Sequence, residues 1–195
     1  FAEEYARLKP DIVLILGDRY EMLSAAISAY VAKIPIAHLH GGEVTAGAID
    51  EAFRHSISKM ATIHFVGTDF YRKRLIQLGE KPSMVFNFGA PGADNFYKLK
   101  TYSKEELSEL LGIELERKVA MVTYHPVTLD NSSSIEQVLN LLKAIEKFDF
   151  TAIFTMSNTD TYGKVINEKV DDMTKQEKSI HHSLPLSDRQ TVRYV

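Results

Sequence analysis

The chain has 195 residues, of which 45% are hydrophobic, so it can bury the core of one large or two small domains. Its net charge of −3 argues against a nucleic-acid-binding surface and against a polybasic membrane anchor. The absence of cysteine excludes disulfides, thiol chemistry and the usual structural zinc ligands. No apolar run approaches the roughly 20 residues that span a bilayer, so we expect a soluble cytoplasmic protein.

The beginning of the chain predicts a strand, a sharp turn, a helix and a second strand. Residues 1–10 are typical of the end of an amphipathic helix and lack an initiator methionine, so we expect the sequence to start inside a domain. Residues 12–16 and 34–39 are apolar runs typical of buried strands, and residues 20–32 have helical periodicity. Because one crossover helix separates the strands, we expect them to be parallel neighbours whose carboxyl ends share one edge.

Polar side chains follow both strands. Asp18 and Arg19 follow the first strand, and His40 and Glu43 follow the second. Ligands of open α/β sheets bind at this edge, so we expect the four side chains to face one crevice. Asp18 is also explained as a helix cap, but the adjacent Arg19 places a guanidinium fork for phosphate beside a carboxylate that can transfer protons.

A metal site is not expected from the histidines and carboxylates of this region. His38 lies inside the apolar strand and is interpreted as a hydrogen-bonded core residue. His38 and His40 alternate along the strand and so point to opposite faces. His40, Glu43 and Asp50 match no recognised spacing of metal ligands.

The rest of the chain predicts more alternation of helices and strands. Helices are predicted at 49–60, 69–78, 135–147 and 161–170, and strands at 62–66, 83–88, 118–124, 150–156 and 180–184. Asp50 and Glu51 fall in the first turn of a helix, where negative charge suits the helix dipole. The charged stretch 97–117 contains a capping-box sequence at Ser103 and is interpreted as a linker.

The second half of the chain predicts another sheet edge with polar residues. His125 ends one predicted strand, and Asn158 and Asp160 end the next. Turn chemistry and helix capping alone would explain Asn158 and Asp160. Two such edges facing each other across a linker would form a cleft of the kind that binds small polar ligands.

The polar motifs, taken in order, resemble one enzyme family. They are Gly17-Asp18-Arg19, His38-x-x-Gly41-Gly42-Glu43, Ile49-Asp50-Glu51-x-x-Arg54-His55, His125-Pro126-x-Thr128 and Asn158-x-Asp160. This ordered set, over residues 1–170, resembles the hydrolysing UDP-N-acetylglucosamine 2-epimerases of sialic acid biosynthesis. The resemblance implies an α/β fold with two Rossmann-like domains as in B-type glycosyltransferases, both incomplete here. Residues 1–96 would be the latter part of the first, and 118–195 part of the second, nucleotide-sugar-binding domain.

The resemblance also implies a reaction. A UDP-sugar and water give UDP and the free sugar inverted at C2, here N-acetylmannosamine from UDP-N-acetylglucosamine. UDP is eliminated to leave a glycal, and water then adds across its double bond. No cofactor is implied, no partner other than the UDP-sugar is expected, and relatives usually form homo-oligomers.

Residue pattern and resemblance together assign candidate roles. Catalytic roles fall on Asp18, His40, Asp50 and His125, and substrate contacts on Arg19, Glu43, Asn158, Asp160 and Arg189. The resemblance implies a glutamate at the position where this chain has His40. Either His40 transfers the proton itself, or Glu43 or Glu51 substitutes, or the substrate differs, for example a UDP-diacetamido sugar.

Other interpretations concern both the ends of the chain and its function. The family's N-terminal glycine loop and its serine-rich phosphate loop are absent from the sequence. Arg189, however, lies in a motif that normally follows the serine-rich loop, so we hypothesise that the sequence joins segments of a longer protein.

A catalytically inactive UDP-sugar-binding protein and a glycosyltransferase are the alternative functions. An unrelated Rossmann domain does not explain the motif set, and no Gly-x-Gly-x-x-Gly for a nicotinamide cofactor follows the first strand.

Overall fold

The computed structural model describes residues 1–98, 101–115, 118–125, 134–157, 163–176 and 180–182. The chain divides into two compact units, Phe1–Leu99 and Lys100–Val195. Both units are parallel sheets with helices between the strands, which confirms the predicted α/β fold. The boundaries of the two domains in a larger fold stay a prediction. No described helix combines the length and apolar character needed to cross a membrane.

The first unit contains a four-stranded parallel sheet in the order β1-β2-β3-β4. Its elements are α1 (Ala2–Leu8), β1 (Val13–Leu16), α2 (Tyr20–Val31), β2 (Ile36–Leu39), α3 (Asp50–Met60), β3 (Ile63–Val66), α4 (Asp69–Gln77), β4 (Val85–Asn87) and α5 (Asn95–Lys98), with 3₁₀ helices at Pro82–Met84 and Pro91–Asp94. The predicted parallel pairing of the first two strands is confirmed, so their carboxyl ends lie side by side.

Helices α2, α3 and α4 pack on the same face of this sheet. Right-handed crossovers that add strands in one direction place all their helices on one side. The buried residues of this face are Ile15, Ala25, Ala26, Ala29, Ile36, Ile57 and Ala61 in one cluster and Val66, Leu75 and Val85 in a second. Burying these side chains is the main stabilising contribution to the unit, at roughly 25 cal/mol per Å² of apolar surface.

The opposite face of the sheet is apolar and exposed within the described part of the chain. Leu14 is 65% exposed and Phe88 is 78% exposed. The rings of Phe65, Phe86 and Phe88 stack on one another, with centroids 5.8 to 6.0 Å apart. An apolar patch of this kind is typical of an interaction surface and not of a free monomer surface.

We expect this open face to bind a hydrophobic dye when the 195-residue chain is studied alone. Replacing Leu14 and Phe88 together by serine should lower the fluorescence of bound anilinonaphthalene sulfonate several-fold, because the dye needs contiguous apolar surface. Phe70→Ser is the control, since Phe70 is 63% exposed but lies on helix α4, which packs on the other face. An equal loss of fluorescence in the control would contradict the prediction.

The second unit contains a three-stranded parallel sheet in the order β5-β6-β7. Its elements are α6 (Lys104–Leu111), β5 (Val119–Val122), α7 (Ser134–Ile145), β6 (Thr151–Phe154), α8 (Gly163–Gln176) and β7 (Ile180–His182). The predicted capping box is confirmed, because Ser103 and Glu106 exchange both bonds at the start of α6. The predicted end of the helix near 170 is wrong. Ile166, Val170 and Met173 continue its apolar stripe, so α8 runs on through a polar sequence.

Candidate active site

The turns that follow β1 and β2 are held together by backbone and side-chain bonds. The N–H of Gly17 donates to the carbonyl of Leu39 at 3.1 Å. Nε2 of His38 lies 2.8 Å from the Gly17 carbonyl, and its Nδ1 lies 3.0 Å from Oγ of Ser58. His38 is fully buried and bonded at both nitrogens, which confirms it as a core histidine. It fixes the turn that carries Asp18.

Burial keeps His38 neutral. It lowers the pKa of His38 from 6.5 to about 4, against the opposing effect of the bond to the Gly17 carbonyl. Because a carbonyl only accepts, Nε2 carries the proton and Nδ1 accepts from the hydroxyl of Ser58. The folded protein therefore binds a proton at His38 less readily than the unfolded chain does.

This difference predicts a loss of stability in acid. A depressed folded-state pKa contributes stability above pH 6.5 that is lost as the pH falls towards 4. Between pH 7.5 and 5 the loss from His38 alone should be about 2 kcal/mol in the free energy of unfolding. His38→Gln should remove that part of the pH dependence in urea titrations. Burial also lowers the pKa of His64, so His64 should keep its own contribution to the pH dependence of the free energy of unfolding in this variant. An unchanged pH dependence in His38→Gln would contradict the assignment.

Asp18 is tied to helix α3 by a buried arginine. Nη2 of Arg54 donates to the Asp18 carboxylate and, at 2.8 Å, to Oγ1 of Thr45. Nη1 of Arg54 donates to Glu51 at 3.0 Å. Asp18 and Thr45 belong to the loops after β1 and β2, and Glu51 to the first turn of α3. One guanidinium therefore joins the two loops and the helix.

Glu51 accepts several hydrogen bonds. Although partial burial opposes it, the N–H of Thr45 together with His55 and Arg54 keeps the pKa of Glu51 below its ordinary value. The Thr45 N–H lies 2.8 Å from one carboxylate oxygen, and Nε2 of His55 lies 3.0 Å from the other. Glu51 therefore stays ionised at neutral pH and serves as an anchor for its neighbours.

His40 and Glu43 form a hydrogen-bonded pair. Nδ1 of His40 lies 2.6 Å from Oε1 of Glu43. An ionised carboxylate only accepts, so it holds the proton on Nδ1 and leaves the lone pair on Nε2. His40 has a φ of 65°, in the left-handed region that few residues other than glycine adopt.

The two glycines after His40 are required by close packing. A Cβ at Gly41 would lie 2.9 Å from Oγ of Ser58 and 3.2 Å from Nδ1 of His38. Gly42 has a φ of 77°, and a Cβ there would lie 2.5 Å from the carbonyl oxygen of Tyr71. Larger residues would push the loop away from β2, so the glycines set the position of the His40–Glu43 pair.

A cavity of about 360 Å³ lies beside His40 in the first unit. It is lined by Leu14, Leu39, His40, Phe65, Gly67, Phe88, Gly89, Ala90, Pro91 and Asp94. It opens on the exposed apolar face of the sheet near the carboxyl ends of its strands. His40 thus borders both the polar loops and an apolar cavity. Within the described residues, no group of three metal-binding side chains converges on a common point.

The remaining candidates of the first unit lie at the same edge. Arg19 is the N-cap residue of helix α2. Its guanidinium carbon lies 5.9 Å from the centroid of the Tyr20 ring, and its Nε donates to the carboxylate of Glu21 at 3.3 Å. Asp50 is half-buried at the start of α3, one helical turn before Arg54 and on the same side of the helix. The structure therefore gathers acidic, basic and imidazole groups at one sheet edge.

Comparison with known proteins decides the family. The sequence profile of the family described as UDP-N-acetylglucosamine 2-epimerase matches residues 1–194. The chain belongs to that family. The chain is 43% identical, over 86% of its length, to the hydrolysing GDP/UDP-N,N'-diacetylbacillosamine 2-epimerase of Campylobacter jejuni, of which it covers 44%. It is 44% identical, over 91% of its length, to the polysialic acid biosynthesis protein P7 of Escherichia coli, of which it covers 46%.

Solved structures of the family share the fold. The UDP-GlcNAc 2-epimerase of Neisseria meningitidis, bound to UDP-GlcNAc, matches 96% of this chain with a TM-score of 0.77 and 21% identity. The match covers 52% of that structure. The chain thus spans about half the length of the relatives it matches, and both of its sheets belong to the Rossmann-like architecture.

In the second unit, His125 lies at the carboxyl edge of the sheet, as predicted from sequence. It follows β5 and is exposed. Tyr124, the residue before it, accepts a hydrogen bond from the Ser157 hydroxyl through its carbonyl, which joins the ends of β5 and β6. Oγ1 atoms of Thr123 and Thr155 lie 2.8 Å apart across the same two strands. The predicted sites Asn158, Asp160 and Arg189 lie outside the described residues.

Arg54 is the site residue to which the sequence assigned no role. It belongs to the motif from Ile49 to His55 on which the family resemblance rests. Its spacing of three and four residues from Ile57 and Ser58, both buried, places it on the buried side of the helix. A buried arginine needs an acidic partner, but the spacing on the helix does not identify which carboxylate that partner is.

Proposed function

We propose that this chain is part of a hydrolysing UDP-sugar 2-epimerase that acts on a 2-acetamido sugar. The observation that carries the proposal is the joint placement of Asp18 and His40 at the ends of neighbouring strands, in a chain of the 2-epimerase family. Parallel strands lie about 4.8 Å apart, which is the scale of a pyranose ring. Two proton-transfer groups that follow neighbouring strands suit removal of a proton from one face of C2 and delivery to the other.

The reaction needs two proton transfers at carbon. In the first step a base takes the proton at C2 while the C1–O bond breaks, so that UDP departs and a C1–C2 double bond forms. In the second step hydroxide from water adds to C1 and a proton returns to C2 from the opposite face. Proton transfer at carbon requires groups within about 3 Å of the proton they move. Asp18, His40 and Asp50 are the proposed groups.

His40 suits the role of a base because of Glu43. The 2.6 Å bond from Nδ1 to the carboxylate fixes the tautomer that keeps a lone pair on Nε2. This contact favours Glu43 as the partner of His40 over a direct contact to substrate. Arg19 supplies a cation at the same edge for the leaving diphosphate, and His125 is proposed as the contribution of the second unit.

Two sugars are candidates for the substrate. The Campylobacter relative is named for a diacetylbacillosamine substrate, which favours a UDP-2,4-diacetamido sugar. The family description names UDP-N-acetylglucosamine, which would give N-acetylmannosamine. Both sugars carry the 2-acetamido group and a proton at C2, so the same proton-transfer groups serve either.

The test is a proton NMR time course of the full-length protein in deuterated water, with each UDP-sugar separately. Free UDP together with a released sugar that carries deuterium at C2 would support the proposal and identify the substrate. Line broadening of an intact UDP-sugar without release would favour an inactive binding protein. Release of the sugar without deuterium at C2 would contradict 2-epimerisation.

A further inference from the structure

Arg54 is buried to an extent that is rare for a charged residue. It is 5% exposed, and in the described part of the chain no other arginine, lysine, aspartate or glutamate is buried. Removing a guanidinium from water costs several kcal/mol unless carboxylates and hydrogen bonds compensate. Packing alone would therefore favour an apolar residue at this position of α3, next to Ile57 in the core.

The contacts of Arg54 converge on the candidate catalytic carboxylate. Its Nη2 bonds to Asp18, which is 36 positions away in sequence, and also to Thr45 at 2.8 Å. The side chain of Asp18 is 20% exposed, so one side of it contacts Arg54 while part of it stays open to a ligand. The planar fork of arginine fixes the orientation of a carboxylate better than the point charge of lysine does.

Arg54 is itself held from the other side. Glu51 lies 3.0 Å from Nη1 of Arg54, and the same carboxylate is fixed by His55 at 3.0 Å and by Arg74 at 3.6 Å. The order of contacts runs from α4 through Glu51 and Arg54 to Asp18. This chain of ion pairs makes the position of Asp18 depend on helix α3 and not only on its own turn.

We propose that Arg54 is a positioning residue of the 2-epimerase reaction, which acts by fixing the orientation of the Asp18 carboxylate through its guanidinium. This inference rests on the proposed function and adds a residue to it. Arg54 would act only through Asp18. Its loss should therefore lower kcat and leave KM nearly unchanged, because misplacing a proton-transfer group by about 1 Å can cost on the order of 10²-fold in rate.

The test is a double-mutant cycle on the full-length protein with Asp18→Asn, Arg54→Lys and the double variant, followed by UDP release and deuterium incorporation. Arg54→Lys keeps the charge but loses the fork, and we expect kcat to fall by about 10²-fold. Because Arg54 acts through Asp18, the double variant should be no slower than Asp18→Asn alone. Guanidinium at a non-denaturing concentration should partly restore Arg54→Ala.

Arg72→Lys is the matched control, since Arg72 donates to the backbone carbonyls of Val85 at 3.1 Å and Pro82 at 3.0 Å, away from Asp18. It should lose stability without a selective loss of kcat. Multiplicative losses in the double variant, or equal losses in Arg72→Lys, would overturn the positioning role. A wild-type protein that turns over no UDP-sugar would instead contradict the proposed function, and the inference with it. Circular dichroism of each variant separates these results from unfolding.

Discussion

Asp18→Asn is expected to lower kcat of the full-length protein by about 10³-fold, within the range that a positioned acid or base contributes. Asparagine keeps the size of the side chain and an oxygen that accepts from Arg54, so the loop after β1 should keep its structure. An amide, however, neither takes nor delivers a proton at this step. Substrate affinity should change little, because the carboxylate is proposed to act on the proton at C2.

Initial rates of UDP release and of deuterium incorporation at C2 measure this effect. Asp11→Asn is the matched control, because Asp11 is an exposed carboxylate just before the amino end of β1, whereas the site loops follow the carboxyl ends of the strands. It should retain full activity. An Asp18→Asn protein that epimerises at the wild-type rate would exclude Asp18 as a proton-transfer group.

Much of the candidate site follows from local sequence rules. Apolar runs before Asp18 and His40 predict strands, and one helix between them predicts parallel pairing. That pairing places both residues at one edge, which the register from Val13 with Ile36 to Leu16 with Leu39 confirms. The prediction needed no tertiary information, because parallel strands with a short crossover have few alternative arrangements.

The partners of Asp18 could not be predicted in the same way. Arg54 reaches Asp18 only because the loop between β2 and α3 folds back, with Gly42 at a positive φ and Thr45 bonded to both Arg54 and Glu51. Loop paths of this kind depend on several backbone torsions at once. The periodicity of α3 shows only that Arg54 is a polar residue of the helix. It does not reveal that its acidic partner is Asp18, 36 residues earlier.

The predicted end of the last helix was wrong for a related reason. Polar composition after Asp171 suggested that the helix stops, whereas Met173 continues the packing of Val170 against the core of the second unit. Met173, three residues after Val170, continues the apolar side of the helix, and the helix runs on to Gln176 although its neighbours are charged or polar. In both cases, packing against a distant element decided the structure over local composition.

His40→Gln is expected to lower kcat by about 10²-fold, and Glu43→Gln by about tenfold. Glutamine at position 40 has no basic nitrogen, because the lone pair of an amide nitrogen is delocalised into the carbonyl group. Glutamine at position 43 can donate as well as accept, so it no longer fixes the proton on Nδ1 of His40, and the fraction of histidine with a free Nε2 falls. If Glu43 acts only by orienting His40, the double variant should be no slower than His40→Gln.

Glu4→Gln is the control for this pair, because Glu4 also bonds to a residue three positions away, Arg7, but on the exposed helix α1. It should leave both kcat and KM unchanged. A Glu43→Gln protein with normal kcat and a raised KM would instead return Glu43 to the role of a substrate contact. That distinction matters because the 2.6 Å bond between Nδ1 of His40 and the Glu43 carboxylate is explained by a fixed imidazole, whereas a substrate contact would leave the carboxylate free to turn towards the ligand.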